Sequence, residues 1–175
     1  MKKVLLLAPL LLLLGVMSCK KLNELLTFDL DYSQNITVPG SPIFVPTPVV
    51  LAVPVTTKSD ETFKNKNTAA DLVKDVKLSR LALTITDPAA ENFDFLNNIE
   101  ISIGTDQNDI VPLASLSNIP KGVSTIELKP SGTKLDKYLK ASSYTLHTKV
   151  TVNKAILRDI TVRADSKFTV TADPL

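Results

Sequence analysis

The residue types that most often perform chemistry are scarce in this chain of 175 residues. It contains one cysteine, Cys19, and one histidine, His147. The sequence shows no nucleophile elbow, phosphate-binding loop, His-Glu-x-x-His motif or paired-carboxylate motif. His147 falls on the polar face of a predicted strand, so we expect it to be solvated. The sequence therefore predicts a non-enzymatic protein without a metal or cofactor, and carboxylates that converge only on folding are the remaining route to catalysis.

Two groups of acidic residues have spacings that could bind a cation. Asp29 and Asp31 project from one face of a predicted strand, and the segment Thr105–Asp109 places two aspartates beside an asparagine. The first pair has no further ligand nearby, and the second segment lacks the glycine and terminal glutamate of an EF-hand loop. We interpret the pair as a solvated strand face and the segment as a hairpin loop, where Asp and Asn are favoured by local hydrogen bonding.

Cys19 directly follows a segment of unusual composition. Met1–Lys3 is cationic, Val4–Leu14 is almost entirely Leu, Val and Ala, and Gly15–Ser18 ends the apolar run. The run is too short to cross a hydrocarbon core of ~30 Å comfortably. Its order of regions is that of a secretory signal. A lone cysteine in an exported protein cannot form an internal disulfide and needs another explanation.

Residues 16–19 resemble the lipobox of bacterial lipoprotein signal peptides, in which a small residue such as Ser18 precedes the lipidated cysteine. The resemblance implies a signal peptide over residues 1–18, acyl chains on Cys19 that bind the membrane, and a lipidated tether over residues 19–26. Lys20 in place of an aspartate implies the outer membrane, and the lack of an acidic cluster after Cys19 implies its periplasmic face. An uncleaved anchor, or plain secretion after cleavage near Ser18, are the alternatives.

The mature chain implied by this signal has no net charge. The full chain has 20 Lys and Arg against 18 Asp and Glu, and loss of Lys2 and Lys3 leaves 20 − 2 = 18 against 18. There is no basic run and the mature chain has no net basic charge, so nucleic-acid binding is not predicted. The remaining 175 − 18 = 157 residues are enough for a core of their own, and we predict one domain over residues 27–175.

Polar and apolar residues alternate with a period of two through most of this domain, which is typical of half-buried strands. The alternation predicts strands over residues 27–38, 76–86, 99–103, 110–114, 126–128, 144–152 and 156–172, the last with a bend or bulge near Asp165–Ser166. Capping-box patterns predict short helices over residues 69–74 and 133–140. The sequence thus predicts a mainly-β fold: an antiparallel immunoglobulin-like β-sandwich with one or two short helices. The segment Phe93–Ile103 resembles small immunoglobulin-like sandwich lipoproteins of Bacteroidota, and this likeness assigns no functional residue.

Five prolines interrupt residues 39–54. Proline cannot donate a hydrogen bond to a sheet, so we predict an edge strand or a polyproline-like crossover here. The apolar residues of this stretch are candidate partner contacts: Ile43, Phe44, Val45, Val49, Val50 and Leu51.

Two functions fit this prediction. The favoured one is a non-catalytic protein-binding or structural module that contacts an envelope protein by edge-strand addition. The alternative is a sandwich that binds a lipid or another apolar ligand between its sheets or beneath residues 39–54. A filled core with an exposed strand edge favours the first, and an apolar cavity favours the second.

Overall fold

The computed structural model describes residues 27–41, 48–57 and 72–172 of the chain. These residues form eight strands: β1 (Thr27–Val38), β2 (Val49–Thr56), β3 (Val73–Asp87), β4 (Leu96–Gly104), β5 (Val111–Ser117), β6 (Thr125–Pro130), β7 (Ser143–Val152) and β8 (Ile160–Ala172). A 3-10 helix at Phe93–Phe95 precedes β4, and one short helix, α1 (Asp136–Lys140), lies between β6 and β7. Within the described residues, no helix has the length and apolarity that a membrane crossing requires.

All strand pairs are antiparallel, and the strand order is β1-β8-β3-β6-β5-β4-β7-β2. We call β1, β8, β3 and β6 the first half-sheet, and β5, β4, β7 and β2 the second half-sheet. The two are joined where β5 pairs with β6 over two residue pairs, Ala114 with Pro130 and Ser115 with Lys129. The prediction of a mainly-β antiparallel sandwich is therefore confirmed.

The strand order defines the sandwich more closely than the alternation of residues could. Strands 1, 8, 3 and 6 lie in one half and strands 2, 7, 4 and 5 in the other. This arrangement is that of a jelly roll, which is built from two Greek keys. It refines the immunoglobulin-like expectation, because an immunoglobulin domain distributes seven to nine strands differently between its sheets.

The core lies between the half-sheets because each strand turns alternate residues inward. On β1 the inward residues are the even-numbered ones from Phe28 to Val38, and they pair with the even-numbered residues of β8. Leu81, Leu83 and Ile85 of β3 are buried, as the alternation predicts. Phe93, Phe95 and Leu96 are buried too and close the end of the core, also as predicted.

The strand pairings define two ends of the sandwich, which we call the Thr27 end and the Val38 end after the limits of β1. Following the registers across the sheet, Thr56 and Ser143 lie at the Thr27 end. The helix α1 closes this end with a buried stripe of Leu135, Tyr138 and Leu139, as the sequence predicts. The Leu135 N–H donates to the Val76 carbonyl over 2.8 Å and ties the start of α1 to β3.

Both helix predictions need correction. Val73 and Lys74 belong to β3 and not to the helix predicted over residues 69–74. Leu72 is a single 3-10 residue, and residues 69–71 of the prediction lie outside the described part of the chain. The second helix covers only Asp136–Lys140, and Leu135 stands at its N-cap without a side-chain hydrogen bond. The hydroxyl of Thr133, the predicted cap, accepts a hydrogen bond from Ser131 instead.

The predicted bulge near Asp165–Ser166 is also wrong. β8 runs without a break from Ile160 to Ala172, and the register shifts lie in its partner β3, at Lys74/Lys77, Leu78/Arg80 and Ile85/Asp87. Because β3 carries the extra residues, it follows the twist of the long β8 strand with its own bulges.

The loop Thr105–Asp109 is a hairpin connection between β4 and β5, as predicted. The Asp109 carboxylate accepts hydrogen bonds from the Thr105 and Asp106 N–H groups and forms an ion pair with Lys137 of α1. The hydrogen bond from Lys137, followed by those from Thr105 and Asp106, holds the pKa of Asp109 below its usual range. These bonds give the aspartate a structural role, in which it fastens the loop to α1.

Candidate functional site

A cavity of about 560 Å³ lies between the two half-sheets. Its walls come from both halves: β1, β3 and β8 on one side, and β2, β4, β5 and β7 on the other. Because β1 and β2 are the two ends of the strand order and do not pair with each other, the cavity opens between them. We call it the inter-sheet cavity. Its lining residues are Asp31, Tyr32, Ser33, Gln34, Ile36, Val53, Pro54, Val55, Thr56, Leu81, Leu83, Ile101, Leu113, Tyr144, Leu146, Thr148, Ala164, Ser166 and Phe168.

The cavity exists because side chains with little apolar bulk occupy inward positions of the first half-sheet. Across β1 and β8, Tyr32 pairs with Ser166 and Gln34 pairs with Ala164. The neighbouring inward pairs, Leu30 with Phe168 and Ile36 with Val162, are large and apolar. Ala164 and Ser166 therefore leave space in the middle of an otherwise well-filled face.

A second space of about 100 Å³ continues toward the Val38 end. It shares five lining residues with the inter-sheet cavity: Ile36, Val53, Leu83, Ile101 and Thr148. Among its fifteen lining residues in the described chain, Thr148 is the single polar one. The two spaces therefore adjoin each other along the seam between β1 and β2, and we call them together the slot.

Two tyrosines line the inter-sheet cavity from opposite walls. Tyr144 lies on β7 and is 5% exposed, and Tyr32 lies on β1 with its ring edge-on to Phe168 at 5.9 Å between centroids. Burial raises the pKa of Tyr144, and the electrostatic interaction with Tyr32 raises it further. Tyr144 therefore keeps its proton at neutral pH and remains a hydrogen-bond donor.

Charge is almost absent from the lining. Asp31 is the single ionisable carboxylate among the described lining residues, and none of them is Lys, Arg or His. Its carboxylate forms an ion pair with Lys167 at 3.4 Å, and Lys167 also contacts Asp29 at 3.4 Å. The two aspartates of the sequence-predicted pair thus share one lysine, which fits the interpretation of a solvated strand face. Neither the cavity lining nor the cluster of Asp29, Asp31 and Lys167 offers the convergent groups that acid–base catalysis needs.

The predicted partner contacts do not converge on one surface. Cys19, Ile43, Phe44 and Val45 lie outside the described residues, and of Val49 only the backbone, paired with Val150, is described. Val50 is 61% exposed and points outward, whereas Leu51 is half-buried and lines the smaller space toward the Val38 end. Adjacent residues of a strand face opposite ways, so β2 divides this group between its two faces.

His147 lies on the outer face of β7, as its parity predicts, but it is half-buried rather than fully solvated. It pairs with Ala52 of β2 and Ser102 of β4, which flank it on both sides. These neighbours offer no carboxylate or thiol at the paired positions, so the geometry gives His147 no catalytic partner there.

Sequence reasoning missed Tyr32, Tyr144 and Ala164 as site residues. A signal for this space lies among the inward-facing residues of β8. There the small residues Ala164 and Ser166 lie between the large residues Val162 and Phe168. Two small residues in succession on a buried face indicate either a close approach of another element or a space.

No family model and no curated protein matches this chain. Solved structures with a similar fold include a decameric BFDV capsid protein, with a TM-score of 0.45 at 9% identity over 85% of this chain and 98% of that one. The tomato aspermy virus structure has a TM-score of 0.33 at 11% identity, over 82% of this chain and 79% of that one. Desmodium yellow mottle tymovirus has a TM-score of 0.31 at 12% identity, over 85% of this chain and 90% of that one. With TM-scores below 0.5, these likenesses carry no weight in the argument for function.

Proposed function

We propose that this chain is a lipid-anchored envelope protein, not an enzyme, that binds an apolar ligand in the inter-sheet cavity. The observation that carries the proposal is the cavity itself, about 560 Å³ of largely apolar space open between β1 and β2. Ligand sites for small molecules occupy about 300–1,000 Å³ and are lined mainly by apolar groups with a few polar ones. This size and lining favour the ligand-binding alternative over a sandwich with a filled core.

The energetics of such a site come from apolar burial. Each methylene removed from water contributes about 0.8 kcal/mol, so a single acyl chain of ordinary length has enough surface to bind. The walls that would receive it, among them Leu83, Ile101 and Leu146, project from strands paired on both sides. Because these central strands are fixed by their neighbours, the walls of the cavity lose little conformational entropy when the ligand enters.

The proposed anchor supports a ligand of membrane origin. An extended chain spans at most about 3.6 Å per residue, so the eight residue-to-residue steps from Cys19 to Thr27 reach no further than ~30 Å. The acyl chains proposed for Cys19 would thus hold β1, and with it the cavity mouth, close to a lipid surface.

Filling the cavity provides the test. Ala164 lines the inter-sheet cavity, and we expect Ala164→Trp to lower the affinity for the fluorescent apolar probe N-phenyl-1-naphthylamine by at least ~30-fold, which corresponds to about 2 kcal/mol of lost burial. Titration of the purified protein, with native mass spectrometry for bound lipid, measures the effect. Ala90→Trp is the matched control, since Ala90 is exposed in the turn after Pro88.

The outcome of this comparison decides the proposal. Equal probe affinity in Ala164→Trp and the parent chain, with both folded by circular dichroism, would contradict a ligand in the cavity. Equal loss in Ala164→Trp and Ala90→Trp would show that the probe binds elsewhere on the surface. Loss in Ala164→Trp alone supports the site.

A second candidate function rests on the edge of β2. This strand pairs with β7 on one side and has no other strand partner among the described residues, and its Val50 side chain is exposed. Such an edge can accept a strand from another protein, with main-chain hydrogen bonds providing the affinity.

Site-specific crosslinking tests this second candidate in intact cells. We expect a photoreactive residue at Val50 to give one discrete adduct with an envelope protein if β2 accepts a partner strand. The same residue at Thr86, exposed on β3 in the other half-sheet, serves as the control. Recovery of uncrosslinked protein from both positions would count against strand addition.

A further inference from the structure

We infer that the ligand of the inter-sheet cavity is an uncharged single-chain lipid whose head carries an oxygen acceptor, such as an alcohol or an ester, bound by the hydroxyl of Tyr144. This inference rests on the proposed function and names the class of ligand. It also gives the ligand a direction, with the head at the Thr27 end and the tail toward the Val38 end.

The charges of the lining argue against an anionic head. No Lys, Arg or His lines the cavity among the described residues, and Asp31 would repel a carboxylate at the mouth. The cations on the neighbouring outer face are already paired, Lys167 with Asp29 and Asp31, and Arg80 with Glu127. An ionised carboxylate taken into such a site would lose its hydration without gaining a partner, which is strongly unfavourable.

The same charges argue against a cationic head. The Asp31 carboxylate, the one anion in the lining, is exposed and has Lys167 as its partner. A ligand ammonium would have to compete with this lysine in solvent, where ion pairs contribute little. The polar groups left to recognise a head are therefore neutral ones.

Tyr144 is the neutral donor best placed for this recognition. It is nearly fully buried, lines the cavity, and pairs with Val55 of β2 at the Thr27 end of the strand. A phenol is protonated at neutral pH, burial raises the pKa of Tyr144 further above that range, and the group can therefore donate to a hydroxyl or carbonyl oxygen. Tyr32 lines the cavity from the opposite wall, and its electrostatic interaction with Tyr144 raises the pKa of Tyr144 further.

The direction of the tail follows from the second space. The inter-sheet cavity shares Ile36 and Val53 with the space of about 100 Å³ toward the Val38 end, whose described lining is apolar except for Thr148. An oxygen-bearing head has partners at one end of the slot, and a hydrocarbon tail has apolar walls at the other.

Three ligands of equal chain length test the inference in the full-length protein: dodecanol, dodecanoate and dodecyltrimethylammonium. Each displaces N-phenyl-1-naphthylamine in a competition titration at neutral pH. We expect dodecanol to bind at least ~10-fold more tightly than either charged ligand. We also expect Tyr144→Phe to weaken dodecanol binding by about 2- to 12-fold relative to the parent chain, the value of one neutral hydrogen bond.

These outcomes separate the inference from the proposed function. If Ala164→Trp abolishes probe binding but dodecanoate or dodecyltrimethylammonium binds as tightly as dodecanol, the cavity is a ligand site and the inferred class is wrong. If Tyr144→Phe leaves dodecanol unaffected, the assigned donor is wrong. If Ala164→Trp leaves probe binding intact, the proposed function itself fails. Phe retains the ring of Tyr144, so the variant keeps the packing of the wall.

Discussion

Replacement of Cys19 by serine is expected to release the whole domain from membranes. The expectation comes from the sequence, in which the only cysteine follows a cationic start and an apolar run. One acyl chain binds a membrane only marginally, and two or three chains make attachment close to permanent. Serine has no thiol to accept a diacylglycerol, so the change is all-or-none. Incorporation of labelled palmitate and fractionation of cells into membrane and soluble parts measure it.

Ser18→Ala is the matched control for this experiment, because it keeps a small residue before the cysteine. We expect this variant to be labelled and to remain with the membranes like the parent chain. Palmitate label on Cys19→Ser, or a mature protein that still begins at Met1, would refute the anchor. Loss of label with continued membrane association would point to a retained apolar N-terminal segment or to a bound partner, and the N-terminal residue of the variant distinguishes the two.

The half-buried strands could be predicted from the sequence because their signal is local. A spacing of two residues places side chains on the same face of a strand. This spacing predicts a shared face for Leu81, Leu83 and Ile85, and another for Ile99, Ile101 and Ile103, and all six residues are buried. Strand order is a different matter. β1 pairs with β8 across more than 120 residues of chain, and nothing local in Thr27–Val38 specifies this partner.

The failed predictions show where packing overrides local pattern. Val73 and Lys74 lie beside a capping-box sequence, yet they pair with Ala172 and Thr171 of β8, because Val73 is buried there. Local preference for a helix amounts to tenths of a kcal/mol per residue, whereas burial of a valine side chain contributes about 1.5 kcal/mol or more. Tertiary burial therefore decides the conformation.

The cavity was beyond prediction for a related reason. Alternation shows that Ala164 and Ser166 face inward, but it does not show what lies opposite them. Whether small inward residues leave a space depends on the distance between the half-sheets, which the pairing of β5 with β6 joins at one side only. Such a space is a property of the assembled sandwich and of no single strand.

Leu139→Ala is expected to lower the free energy of unfolding by about 2–5 kcal/mol, the usual cost when a buried leucine is truncated and a cavity remains. Leu139 has no exposed surface and lies on α1, which closes the Thr27 end of the core. It does not line the inter-sheet cavity, so the affinity for N-phenyl-1-naphthylamine should be unchanged wherever the protein is folded. Chemical denaturation followed by circular dichroism measures the first effect, and the probe titration measures the second.

Leu157→Ala is the matched control, because Leu157 is 81% exposed and the same truncation there removes little buried surface. We expect a change within about 0.5 kcal/mol for this variant. If Leu139→Ala lowered the free energy of unfolding as little as Leu157→Ala does, α1 would not pack as a core element. A loss of probe affinity in folded Leu139→Ala would mean that the Thr27 end and the cavity are energetically coupled. The expected result, loss of stability alone, would separate the part of the interior that holds the fold together from the part that is open for a ligand.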